Sequence, residues 1–305
     1  MKRRLHPDRS PAPQIRTLLE VEIQHAISET ALYEDADVLR RVEVVRQIRK
    51  ATKRSRAIVS LLDPSTGDRF NRHLRHCARQ LSSMRDRDVI QQTLGDLSDM
   101  DAKLHRLLRK KHLRERMLEF EESDSFEVPM TESTVIDNVR RELGWILENT
   151  SSIGRRDLRW KMLVERVGHS WQRARHAFKS EWSSENSDAL HDARKALIRL
   201  ESQLVFVERL VPSRVRKARK GLRAVAHELG LDRDLILIQE RAEELGGSRS
   251  FSDLRDRFID RVGKDRSRHL KKLRSRGKKL LDTPTSRFLA KMKKSVKSAR
   301  KGTDS

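Results

Sequence analysis

The stretch VVRQIRKATKRSRAIVSLL, residues Val44–Leu62, decides the fold. Read as an α-helix, it places seven apolar side chains on one side and six cations within an arc of roughly 160° on the other. One side of such a helix can be buried while the other presents a ladder of positive charge. A related stretch, LHDARKALIRLESQLVF, follows about half a chain later at Leu190–Phe206. We therefore expect a helical scaffold that holds these two stretches.

The composition favours an all-α fold. Of the 305 residues, 36% are apolar and 37% are charged, and the charged residues follow helical periods for most of the length. Glycine (12) and proline (7) are scarce, and the alternation of β-branched residues that strands need is missing. Amphipathic helices are therefore a better prediction than either strands or a solvated coil.

The net charge of +23 indicates a polyanionic partner, because a surface this basic repels itself unless an anion neutralises it. Nucleic acid, an anionic membrane and a phosphate polymer are the candidates. Cys77 is the only cysteine, which predicts no internal disulfide and a reducing compartment. The N-terminus lacks the apolar segment of a secretion signal, and no apolar run is long enough to span a membrane. We therefore predict a cytoplasmic protein without a membrane partner.

The chain contains two related halves. The pattern R-x-x-R-K-A beginning at Arg46 matches H-x-x-R-K-A beginning at His191, and D-R-D-V at Asp86–Val89 matches D-R-D-L at Asp232–Leu235. We read breaks in the helices before both D-R-D segments. The duplication predicts two helical bundles, related by a pseudo-two-fold axis, around a basic central cavity. The alternative is that each basic face is only the solvent side of its own bundle.

The predicted boundaries follow shifts in composition. Residues 1–13 read as a disordered basic tail, 14–120 as the first helical half and 121–134 as an acidic linker. Residues 135–281 then form the second half, and 282–305 form a basic C-terminal tail.

These motifs resemble the CHAD domain (conserved histidine α-helical domain). The resemblance covers residues 15–281 and rests on V-x-Q-I-R-K-x-x-K-R-x-R at Val45–Arg56 and H-D-A-R-K-x-x-x-R-L at His191–Leu200, each followed by a D-R-D segment. It implies two four-helix bundles with pseudo-two-fold symmetry and non-enzymatic binding of inorganic polyphosphate in a central cavity. It also implies targeting to polyphosphate granules and a triphosphate tunnel (CYTH) enzyme as a partner. It implies no cofactor.

Carried over residue by residue, the resemblance implies a binding site made of basic side chains. These are Arg46, Arg49, Lys50, Lys53, Arg54, Arg56, Arg72, Arg75, Arg79, Arg173, Arg175, His191, Arg194, Lys195, Arg199, Lys220 and Arg223. The first unit departs from the family by having Arg46 in place of the namesake histidine. In the second unit, Ile198 and Glu201 replace two cations of the first, so we expect weaker phosphate binding there.

The chemistry of these residue types suits a phosphate chain. Arginine offers a planar fork for two phosphate oxygens, and a helix repeats such donors along a line. Nucleic acid is the alternative ligand, although aromatic residues make up only 4% of the chain and no zinc-finger or RNP signature appears.

Two other side-chain patterns need an interpretation. His73-x-x-His76 places two imidazoles on one helical face, as a metal site requires, but no third ligand is marked. The aspartates of the D-R-D segments could act as an acid and base or bind Mg²⁺. Helix capping, or holding nearby arginines in ion pairs, is the more economical reading of these carboxylates. We therefore assign neither a metal site nor a catalytic site.

Overall fold

The structure is a computed structural model that describes residues 4–100, 102–109, 113–118, 131–154, 158–179, 187–211 and 213–301. These residues form α-helices and one 3-10 turn at Thr150–Ser152, with no strand among them. The helices are α1 (Pro11–Ala31), α2 (Val38–Val59), α3 (Pro64–Met100), α4 (Ala102–Arg109), α5 (Leu113–Leu118), α6 (Glu132–Asn149), α7 (Trp160–Lys179), α8 (Ser187–Phe206), α9 (Ser213–Glu244), α10 (Arg249–Leu280) and α11 (Thr285–Lys301). The predicted all-α class is confirmed.

Helices α1, α2, α3 and α6 pack in a ring and form the first bundle. Helix α2 begins after Asp37, whose carboxylate accepts a hydrogen bond from Arg40 N at 2.8 Å and so caps the helix. Its predicted apolar face is buried, with Val44, Ile48 and Ile58 at 0% exposure. The helical period of this stretch therefore does place one face in a core and the cations on the other sides of the helix.

Helices α7, α8, α9 and α10 form the second ring, and α11 packs against the outside of α7. Glycines allow close approach here. A Cβ atom at Gly277 of α10 would lie 1.9 Å from Phe178 of α7, and one at Gly168 of α7 would lie 2.3 Å from Leu289 of α11. The two bundles meet where α2 packs against α8 and where α3 packs against α9. The largest apolar core runs through both bundles without interruption.

A second, smaller core lies at the far ends of the long helices. It combines the C-terminal part of α3 with α4, α5, the end of α9 and the first half of α10. Phe251 and Phe258 of α10 are buried in it, and the Arg116 guanidinium lies 3.9 Å from the centre of the Phe251 ring. Parts of both predicted halves therefore share one apolar cluster away from the helices α2 and α8.

The prediction of a disordered tail at residues 1–13 is wrong for the residues described, 4–13. Leu5 is fully buried and its N–H donates to Phe206 O at 2.7 Å, while Arg4 pairs with Glu208 at 2.7 Å. Helix α1 already begins at Pro11. The segment is ordered because one apolar side chain and the main chain both find partners at the end of α8.

The prediction of a basic C-terminal tail after residue 281 also needs correction. Residues Thr285–Lys301 form α11, which buries Phe288, Met292 and Val296 against α7. The Phe288 ring stacks on Trp171 with centroids 4.5 Å apart. Many cations surround this apolar stripe, but the stripe itself recurs at every fourth residue and supports a packed helix.

The helix breaks predicted before the two D-R-D segments are absent, since α3 and α9 each continue through them. Within α9, Gly230 fits the helix because the Arg194 guanidinium of α8 packs where its Cβ would be, at 3.0 Å. Asp232 does not cap a new helix. It turns inward and forms a buried ion pair with Arg266 at 2.9 Å. The side chains of Asp86 and Asp88 lie outside the described residues.

The boundary between the bundles also differs from the predicted one. Helix α6, expected to open the second half at residue 135, packs against α1 and α3 of the first bundle. Most of the predicted linker, 121–134, lies outside the described residues. The first three helices of each bundle follow in the same order, and α7, α8 and α9 begin 149 residues after α1, α2 and α3, close to the offset of the D-R-D segments. That agreement supports the internal duplication, which stays a prediction.

Candidate functional site

Four arginines from four helices come together near the junction of the bundles. Arg56 (α2), Arg75 (α3) and Arg173 (α7) all act on Arg199 (α8), whose pKa is lowered by burial and by repulsion from these three charges. Burial and the charge of Arg75 likewise lower the pKa of Arg56. We call these four residues the arginine cluster. Two of its members come from the first bundle and two from the second.

The arginine cluster has no internal neutralising charge. None of its four members forms an ion pair with a carboxylate in the part of the chain that the structure describes. The Nε of Arg56 instead donates to the amide oxygen of Asn71 at 3.2 Å. Arg56 and Arg199 are half-buried, whereas Arg75 and Arg173 are exposed. Guanidinium groups that repel one another and have no carboxylate partner can hold an anion between them.

A second group of cations lies two turns earlier on α8. It consists of His191, Arg194 and Lys195 together with Arg233 of α9, and we call it the α8–α9 cluster. Partial burial and the charges of Lys195, Arg194 and Arg233 lower the pKa of the His191 imidazole. The packing of Arg194 against Gly230 joins the two helices at this point. Unlike the arginine cluster, this group contains ion pairs, Lys195 with Asp192 at 3.4 Å and Arg233 with Glu240 at 3.3 Å.

Several predicted binding residues make contacts that connect helices of the scaffold. Arg54 pairs with Glu22 of α1 at 2.6 Å, and Glu22 is only 1% exposed. The guanidinium of Arg49 donates to Leu81 O of α3 at 2.7 Å. Arg175 donates to Leu281 O at 2.8 Å and so fixes the end of α10 to α7. These three guanidiniums connect helices within a bundle.

The remaining predicted cations flank the clusters or stand apart from them. Arg72 and Arg79 are exposed and share a helical face with Arg75, at spacings of three and four residues. On α2, Lys53 is exposed, Lys50 is half-buried, and Arg46 is exposed and pairs with Glu43 at 3.3 Å. Lys220 and Arg223 are exposed on α9, and no described contact connects them to either cluster.

The two histidines of the His73-x-x-His76 pattern face α6. His73 Nδ1 lies 2.5 Å from Glu142 Oε2 and its ring stacks on Trp145 at 3.8 Å, while His76 Nε2 lies 3.9 Å from Glu142 Oε1. Among the described residues, no group of three His, Cys, Asp or Glu side chains is arranged to hold a metal ion. The histidines therefore belong to the α3–α6 contact.

The family model of the CHAD domain matches residues 23–243 and, a second time, residues 169–303. The chain belongs to the CHAD domain family. A crystal structure of the CHAD domain from the plant Ricinus communis has the same fold, with a TM-score of 0.62, 18% identity and coverage of 91% of this chain and 94% of that one. No curated protein matches the chain. None of the helices in the described residues of this CHAD chain combines the length and the apolar character that a membrane span needs.

Sequence reasoning missed one cation of the candidate site in this CHAD chain. Arg233 is the central residue of the second D-R-D segment, whose two aspartates alone entered the sequence interpretation. The available signal was its position three residues after Gly230, on the face of α9 that contacts α8. Because Arg194 and Gly230 are far apart in sequence, only the packing of α8 on α9 reveals that this face carries part of the site.

Proposed function

We propose that this CHAD protein binds inorganic polyphosphate without chemical turnover. The arginine cluster is the observation that carries the proposal. Arg56, Arg75, Arg173 and Arg199 concentrate four positive charges that have no carboxylate partner among the described residues. Bound phosphate oxygens would accept hydrogen bonds from the guanidinium groups and relieve their mutual repulsion.

The arrangement favours a phosphate chain over nucleic acid. A single strand binds by stacking its bases on aromatic side chains, each worth about 1–3 kcal/mol. In the described residues the large exposed apolar side chains are Leu32, Val38, Leu39 and Leu231, none of which is aromatic. Trp160 and Trp171 are buried, and the face of Trp145 is occupied by His73. A ligand with charge and no bases needs no stacking platform.

We also propose the setting that membership of this family suggests. The protein would act in the cytoplasm, at polyphosphate granules, beside a triphosphate tunnel (CYTH) enzyme that handles the same polymer. The excess of Lys and Arg over Asp and Glu, 68 against 45, suits accumulation on such a polyanion.

Competition between ligands tests the proposed function. At physiological salt, long-chain polyphosphate should displace a labelled DNA duplex from the protein, and the duplex should not displace labelled polyphosphate. The affinity should also fall steeply as salt rises, because counterions are released from the polymer on binding. Displacement of polyphosphate by DNA at equal phosphate concentration would reverse the assignment in favour of nucleic acid.

The affinity for polyphosphate should rise as the pH falls from 8 to 5.5. In the free protein, partial burial and the charges of Lys195, Arg194 and Arg233 keep the pKa of His191 below 6.5, and the carboxylate of Asp192 opposes them only in part. A bound polyanion stabilises the imidazolium and raises this pKa, so binding takes up a proton and strengthens through that range. Titration calorimetry in buffers of different ionisation enthalpy measures the uptake.

His191→Gln supplies the control for this pH dependence. The variant should bind with nearly the same affinity at pH 8 and should lose part of the increase at pH 5.5. A wild-type affinity that is unchanged across the range would contradict a role for His191 as a titrating phosphate ligand.

A further inference from the structure

Helix α8 carries two cation clusters of different character. Arg199 belongs to the arginine cluster, and His191 belongs to the α8–α9 cluster eight residues earlier, which corresponds to about 12 Å along the helix. Lys195 lies between them, four residues from each, so all three share one face of α8. The cations thus form a line that leads from one cluster to the other.

The α8–α9 cluster is built by close packing of two helices. A Cβ atom at Gly230 would lie 3.0 Å from Nη2 and 3.4 Å from Cζ of Arg194, so the absence of a side chain there makes room for the guanidinium. Arg233 follows Gly230 by three residues and occupies the same face of α9. Helix α9 therefore adds a cation to the line on α8.

The two clusters differ in how far they are neutralised. Asp192 pairs with Lys195 and Glu240 pairs with Arg233, both on the surface. Exposed pairs of this kind contribute little free energy, about 0–1 kcal/mol, and a phosphate can replace the carboxylate. The arginine cluster has no such competitor among the described side chains. An anion should therefore occupy the arginine cluster first. It should occupy the α8–α9 cluster only when the same chain is already anchored in the arginine cluster.

We propose that the two clusters are separate phosphate subsites and that together they select for chain length. This inference rests on the proposed function. A short phosphate ligand occupies the arginine cluster alone. A chain long enough to follow α8 reaches the α8–α9 cluster while it stays anchored, which makes the second contact intramolecular and raises the overall affinity. Arg233 and Lys195 are the residues that make the affinity for long chains higher than the affinity for short ones.

Affinities for triphosphate and for polyphosphates of increasing length test the inference. Wild-type protein should show a rise in affinity per chain once the chain spans both clusters. The double variant Lys195→Gln, Arg233→Gln should bind triphosphate like the wild type and lose about tenfold in affinity for long chains. The double variant Arg173→Gln, Arg199→Gln should lower the affinity for triphosphate and for long chains alike. The pair Arg249→Gln, Arg257→Gln, which removes two exposed cations of α10, is the charge-matched control and should change neither.

Three other results would contradict either the two-subsite inference or the proposed function. Equal losses for triphosphate and long chains in the Lys195, Arg233 variant would overturn the two-subsite inference and leave polyphosphate binding intact. A wild-type affinity per phosphate that does not depend on chain length would overturn it in the same way. If the wild-type protein binds no phosphate polymer, the proposed function itself fails, and this inference fails with it.

Discussion

The double variant Arg56→Gln, Arg199→Gln should lose about 100-fold in affinity for long-chain polyphosphate at physiological salt. A hydrogen bond from a charged group contributes about 1.5–3 kcal/mol, so two lost contacts cost at least about 3 kcal/mol, which is two powers of ten. Both guanidiniums are half-buried, where bulk water screens a bound phosphate less than it would on an open surface. Titration calorimetry or filter binding measures the loss.

The salt dependence of the binding constant, compared with a charge-matched control, shows whether the loss comes from specific phosphate contacts or from the lower net charge of the protein. The slope of the logarithm of the binding constant against the logarithm of salt concentration should fall by roughly 0.7–0.9 for each phosphate contact removed. The variant Arg249→Gln, Arg257→Gln removes the same charge from the start of α10, beside the second apolar core. If this control weakens binding as much, the polymer responds to net charge and the arginine cluster has no special role.

Unfolding does not account for the expected loss, because the arginine cluster opposes folding. Burial and the neighbouring arginines hold the pKa of Arg199 in the folded protein below its ordinary value. At neutral pH its charged form is therefore less favourable in the fold than in the unfolded chain. Removing the charge should leave the free protein at least as stable as the wild type. Polyphosphate, in turn, should raise the melting temperature of the wild type more than that of the variant.

The amphipathic pattern of Val44–Leu62 was sufficient to predict the helix that carries Arg56 of the arginine cluster. Its period is local, and the buried residues Val44, Ile48 and Ile58 are those of the predicted apolar face. The same pattern did not distinguish the cation of the arginine cluster from the cations that connect helices within a bundle. Arg54 and Arg56 are two residues apart, yet one pairs with the buried Glu22 and the other joins the arginine cluster. That difference depends on which neighbouring helix each side chain meets.

Errors in the predicted helix ends have the same origin. Gly230 and Asp232 carry the local preferences of a helix end and a helix cap, and a prediction from sequence follows those preferences. In the fold, Arg194 fills the space over Gly230 and Arg266 neutralises Asp232. Both partners come from other helices, 34 or more residues away in sequence. Tertiary contacts therefore override the local signals.

The substitution Arg266→Met should lower the free energy of unfolding by about 3–5 kcal/mol, since it leaves a buried carboxylate without its cation. In the wild type, Arg266 makes two hydrogen bonds to Asp232, at 2.9 and 3.2 Å, and a third to Gln239 Oε1 at 2.8 Å. The two charged side chains are only 5% and 2% exposed. Urea unfolding at pH 7 measures the change, and Arg257→Met, at an exposed position on the same helix, should cost little.

The double variant Asp232→Leu, Arg266→Met separates two quantities. One is the net contribution of the ion pair to the free energy of unfolding, and the other is the cost of leaving one charged partner buried alone. A buried pair repays its desolvation only in part, so replacing both members with apolar side chains of similar size is often neutral or stabilising. We therefore expect the double variant to recover most of the stability that Arg266→Met loses. If it remains as unstable as the single variant, the cost lies in Gln239 Oε1, which has lost the hydrogen bond that Arg266 donates in the wild type. In that case, Gln239→Leu added to the double variant should restore stability, because it removes the polar group left without a partner.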